Sequence, residues 1–103
     1  MYKIVITTTD DLQVADKIKD CILNDKLSPC VQVINNIQSG YIWKSRVENS
    51  EEYMLLIKCK DSKVNDIKSI IEKYHNYDVY ELISLDMEII NPKYLDWFNK
   101  NSA

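Results

Sequence analysis

The sequence predicts an α+β domain built on a ferredoxin-like, four-stranded antiparallel sheet, with two helices on one face and a short C-terminal helix. Three observations lead there. Four segments rich in β-branched and aromatic residues alternate with period two, and two others repeat apolar residues every three or four positions. The two kinds follow one another as strand, helix, strand, strand, helix, strand, the order of the split β-α-β arrangement. The 103 residues suit one domain spanning 1–103. One glycine, two prolines and well-mixed charges leave no linker, repeat or low-complexity tract.

The first strand, Tyr2 to Thr8, alternates around Tyr2, Ile4 and Ile6. Thr9 or Asp10 can then accept hydrogen bonds from the free amides that open a helix, and the acidic groups complement its dipole. That helix runs from about Asp11 to Asp25, with Leu12, Ala15, Ile18 and Ile22 on one face and Val14 and Cys21 beside them. Pro29 bars its continuation, and Cys30 to Ile37 is extended again. Gly40 permits a bend before Tyr41 to Val47. A turn at Asn49 and Ser50 folds the chain back onto Glu52 to Lys60, whose Tyr53, Leu55, Ile57 and Cys59 form one apolar face. Val64, Ile67, Ile71 and Tyr74 mark the second helix, and Val79 to Ile89 the last strand. Asn91 as cap and Pro92 at the first helical position open a terminal helix carrying Tyr94, Trp97 and Phe98 on one side.

With both helices on one face, the other face of the sheet is left open. With the turn at Asn49 and Ser50, that face receives Tyr41, Trp43, Val47, Met54 and Leu56, an apolar surface that calls for a cover. Two covers are available: further copies of the chain, giving a homo-oligomer, or the terminal helix folding under its own sheet.

Composition narrows the function classes. Thirteen basic and sixteen acidic residues give a net charge of -3 with no basic stripe, which disfavours nucleic acid as a partner. No run is long and apolar enough to cross a membrane, and the N-terminal segment lacks the order of a signal peptide. The chain therefore reads as soluble and cytoplasmic. Cys21, Cys30 and Cys59 are odd in number and far apart, which suits reduced thiols better than disulfides or a zinc site.

Lys26 to Trp43, KLSPCVQVINNIQSGYIW, followed by Glu52, Lys58, His75 to Tyr77, Glu81 and Tyr94 to Phe98, resembles the CutA family collinearly over nearly the whole chain. The resemblance implies a ferredoxin-like protomer in a tight homotrimer, with long hairpins packed between subunits. It also implies tolerance of divalent cations, with Cu2+ or another divalent cation as the ligand, and in animal members acetylcholinesterase anchoring; it implies no definite enzymatic reaction. The family's bacterial copper site uses a cysteine at the end of the first strand and two adjacent histidines after the second helix, where this chain has Thr7, Tyr74 and His75. Ser45 stands where the family usually has glycine, and Asn76 and Tyr80 where prolines are common.

His75, the only histidine, is the candidate metal ligand; its other reading is a helix C-terminal residue favoured by the dipole. Cys30 is either a soft ligand or a buried thiol. Lys58 is expected to face Tyr41 across the hairpin and, with Trp43, Glu52 and Glu81, to form an intersubunit pocket for an anionic or zwitterionic ligand. Its other reading is an interfacial salt bridge. Thr7, Thr8 and Thr9 are followed by Asp10 and Asp11 with no glycine, so they form no phosphate loop. No arginine-bearing loop follows the first strand, so the acylphosphatase activity of this architecture is not expected. These features describe a copper-binding tolerance protein that is not an enzyme, with a trimeric small-ligand sensor resembling PII proteins, or a scaffold, as alternatives.

Overall fold

Strand β1 (Tyr2–Thr9) lies inside the sheet, flanked by β3 (Arg46–Lys60) and β4 (Leu82–Met87), with β2 (Cys30–Trp43) beyond β3. All three pairings are antiparallel. The computed structural model describes all 103 residues. Helices α1 (Leu12–Asn24) and α2 (Val64–Tyr74) cover the face carrying Val5, Leu55, Ile57 and Cys59. Five isoleucines, Ile18, Ile22, Ile57, Ile67 and Ile71, are completely buried there. At roughly 1.5–3 kcal/mol each, they make this face the main source of stability.

Asp11 caps α1, accepting from the Gln13 and Val14 amides. Thr9 and Asp10 fall two residues and one residue short of that role. Leu12, expected on the apolar face, sits in the first turn and is exposed. The helix ends well before Pro29. Lys26 takes φ 57°, its amide bonds to Leu23 and the Leu27 amide reaches back to Ile22, the paired bonds of a left-handed C-terminal cap.

The terminal helix α3 (Pro92–Lys100), capped by Asn91, folds under the opposite face at one end. Phe98 is fully buried, with its ring edge-on to Tyr2 at 5.5 Å, and the Tyr2 hydroxyl donates to Asn99. Self-coverage stops there. Ile34, Ile83 and Leu85 on the same face remain 40–53% exposed.

The hairpin differs most from expectation. It turns at Lys44 and Ser45, with φ 51° and 64°, between the paired residues Trp43 and Arg46. This is a two-residue turn with two left-handed positions, which matches the twist of the strands. Asn49 and Ser50 are not the turn: they pair with Gly40 and Ser39 inside the ribbon. Gly40 makes no bend. The irregularity is a bulge between Ile34 and Ile37, where Asn36 has φ 62°. The extra residue changes the parity of β2, so that Ile37, Ser39, Tyr41 and Trp43 join Met54 on the open face. Val47, paired with Ile42, therefore lies on the reverse face, contrary to its expected place.

β1 pairs with β3 only as far as Tyr53, so Arg46 to Glu52 have β2 as their sole neighbour. The result is a two-stranded ribbon projecting about 23 Å beyond the sheet. No residue from Val31 to Glu51 is buried, and the molecule is 46 Å long but only 21 Å thick. Its surface of 6797 Å² exceeds the roughly 6,000 Å² expected for a folded monomer of its mass, and the ribbon accounts for the excess.

Both turn residues bear the steric cost of a left-handed backbone, and glycine at Ser45 removes one such cost. Ser45→Gly is expected to raise unfolding stability by about 1 kcal/mol, read as a higher urea midpoint at unchanged m. An unchanged or lower midpoint would contradict the assigned turn.

Candidate functional site

The expected strand from Val79 to Ile89 is regular only over Leu82–Met87. The preceding residues, His75 to Glu81, form a loop pinned to the end of β1. Thr7 donates its hydroxyl to the Glu81 carbonyl at 2.7 Å. Thr9 donates to the Asn76 side chain at 2.6 Å, and the Asn76 amide donates to Asp10 at 2.8 Å. The three threonines thus serve as attachment points for this loop.

His75 is the hub of the attachment. Its Nε2–H donates to the Thr8 carbonyl at 2.8 Å, which makes Nδ1 the acceptor of the Tyr77 amide at 3.0 Å. Its ring stacks on Tyr80 at 4.5 Å. Burial lowers its pKa from 6.5, because desolvation outweighs the Thr8 bond and the nearby Asp10 and Glu52 carboxylates. Both His75 nitrogens are thus engaged by backbone groups, with no lone pair left over in this arrangement.

Anchored this way, Tyr77 donates its hydroxyl to Glu52 at 2.7 Å. Burial and the adjacent carboxylate push the Tyr77 phenol well above its usual range, so it stays a protonated donor. Glu52 sits at the root of the ribbon and is only 6% exposed. Loop, ribbon and sheet line an open cavity of about 770 Å³. Thr8, Glu52 and Met54 come from the sheet, Tyr41 and Trp43 from the ribbon, and Tyr77, Asp78 and Glu81 from the loop.

Four of the five expected pocket residues, Tyr41, Trp43, Glu52 and Glu81, do line this cavity. Lys58 does not. It pairs with Cys30 and Ile4, while Tyr41 faces Glu48, because the true turn lies five residues before the expected one. Six residues separate Lys58 from Glu52 along β3, about 20 Å. Without Lys58 the lining holds three carboxylates and no basic side chain, which reverses the charge preference from an anion to a cation. Cys30 lies at the same distant end beside Tyr94, whose phenol is raised by burial and by the thiol. It cannot share a metal with His75, which bonds at Thr8, four residues or about 13 Å further along β1 than Ile4. No three His, Cys, Asp or Glu side chains of the chain converge as metal ligands, so a divalent cation does not fit a site built from one chain alone. Tyr77 and Asp78 were missed from sequence; the available signal was a polar and aromatic seven-residue loop between a helix and a strand.

The fold and site define a class: a ferredoxin-like α+β protomer with a projecting hairpin and an acidic, aromatic cavity at the hairpin's root. Comparison with known proteins assigns the family. The family described as CutA1 divalent ion tolerance protein matches residues 3–101, and the chain belongs to it. The Protein CutA homolog of Xenopus laevis is 42% identical over 84 residues, 82% of this chain and 56% of the frog protein. Protein CutA 1, chloroplastic, of Oryza sativa is 32% identical over 100 residues, 97% of this chain and 56% of the rice protein. The chain thus spans little more than half the length of these two relatives. The solved divalent cation tolerance protein of Thermus thermophilus superposes with a TM-score of 0.93 at 28% identity, covering all of both chains.

Because the folded His75 takes up a proton only below 6.5, its contribution to stability is complete above that pH and declines as the pH falls toward the folded value. Urea midpoints measured between pH 7.5 and 5 are expected to fall less steeply in His75→Gln than in the wild type. Equal slopes would contradict the neutral, doubly bonded ring.

Proposed function

We propose that this protein is a non-enzymatic, cytoplasmic homotrimer that serves divalent-cation tolerance by binding. In this reading, Cu2+ or another divalent cation meets it at the acidic cavity rather than at His75. The observation that carries the proposal is the cavity lining: Glu52, Asp78 and Glu81 face one space without a lysine or arginine among them. One chain does not bring three ligands together, so the ligand set draws on a second copy. The trimer is supported by the exposed face at Ile34, Ile83 and Leu85 and by a ribbon that its own chain does not cover. Three unpaired thiols suit a reducing compartment.

The absence of catalytic function is supported by the two residues best suited to it. Both His75 nitrogens are held by backbone groups, and burial raises the Cys59 thiol to about 11, so neither supplies a free base or a thiolate at neutral pH.

Calorimetric titration with Cu2+ tests the reading. His75→Gln, which keeps a side-chain donor for the Thr8 carbonyl, is expected to bind within about two-fold of wild type, while Glu52→Gln combined with Glu81→Gln weakens binding about ten-fold or more. An unaffected double variant, or no binding by the wild type, would overturn it.

A further inference from the structure

Glu52 is a carboxylate in an unusual position. It is 6% exposed and its one hydrogen bond comes from a neutral phenol, Tyr77. The three ion pairs of the molecule join the N-terminus to Asp61, Lys3 to Asp86 and Lys19 to Asp16. None reaches Glu52. A buried carboxylate without a counter-charge is costly, and the cost falls when a cation arrives from outside.

Two properties of the cavity select the kind of cation. Its carboxylates line an open cleft without converging on one point within the chain, so separated positive charges can answer them individually. Its walls are also aromatic and apolar: Tyr41, Trp43 and Met54 offer methylene contacts and ring faces that attract ammonium groups. Separated carboxylates with apolar surface between them match a flexible molecule charged at both ends.

We infer that this cavity binds a small aliphatic diamine, with one ammonium group answering Glu52 and the other the rim carboxylates Asp78 and Glu81, and with its methylene chain along Tyr41 and Trp43. The inference rests on the cavity's role as a cation site proposed above and names a ligand class for it. Glu52 supplies the buried charge, Tyr77 fixes its orientation, and the exposed Asp78 and Glu81 can lose their charge without disturbing the fold.

Putrescine is the probe, titrated calorimetrically into the intact protein at constant ionic strength, with butane-1,4-diol as the uncharged control of equal length. Saturable binding is expected for putrescine and none for the diol. Glu52→Gln should weaken binding about ten-fold, and Asp78→Asn with Glu81→Gln about three- to ten-fold. No saturable binding, equal binding of the diol, or affinities unchanged in both sets of variants would overturn the inference. So would putrescine binding seen only in Arg46→Ala, which would show that the basic hairpin tip of a neighbouring copy already fills the cavity. Cu2+ binding without putrescine binding overturns this inference alone; putrescine binding without Cu2+ binding overturns the metal reading and leaves the cavity a diamine site.

Discussion

The constraint on which the rest of the structure depends is the two-stranded ribbon at the end of β2 and β3. A pair of strands with no third neighbour and no covered face is marginal in water, yet this chain extends one well past its own sheet. Beyond Tyr53 each ribbon residue has a single cross-strand partner, and both ribbon faces carry large apolar groups: Tyr41 and Trp43 on one, Ile42 and Val47 on the other. α3 cannot reach them, because it is committed to the Tyr2 end through Phe98. The proposed homotrimer would place this element against other copies of the chain, and a closed ring of copies covers it without forming filaments.

The same projection creates the cavity. Where the ribbon leaves the sheet, the loop after α2 turns back and is fastened by Thr7, Thr9 and His75 to the last residues of β1. The hydrogen bond between Tyr77 and Glu52 ties that loop to the ribbon's root. One set of bonds therefore stiffens the ribbon and forms one wall of a space rich in carboxylates. In the proposed reading stability and binding meet at Glu52: a buried carboxylate without a counter-charge costs the isolated protomer stability, and a cationic ligand would recover part of that loss.

Much of the architecture was legible because it follows from local chemistry. The alternation of β1, the three-and-four spacing of Ala15, Ile18 and Ile22, and the Asn91-Pro92 helix start each follow from side-chain periodicity or capping, and each has its place in the structure. The collinear resemblance to CutA added the family, which the comparisons bear out. The hairpin turn was not legible, since Lys44 and Ser45 adopt left-handed conformations that residues of their kind rarely take, while Asn49 and Ser50 carry typical turn chemistry inside a straight strand. The bulge at Asn36 changed which side chains share a face. The misplaced turn had put Val47 on the open face, when it pairs with Ile42 on the reverse one, and had put Lys58 in the pocket. The pairing of Tyr77 with Glu52 spans 25 residues and depends on where His75 pins the loop, which no local pattern encodes.

Sedimentation equilibrium of the intact chain at micromolar concentration tests the central claim most directly. The proposed trimer predicts that the protein sediments as one species with three times the 12.1 kDa protomer mass, unchanged on dilution through that range. A single species at 12.1 kDa, with backbone amides of residues 37–51 protected from hydrogen exchange, would show that the ribbon stands without a neighbour and would contradict the account.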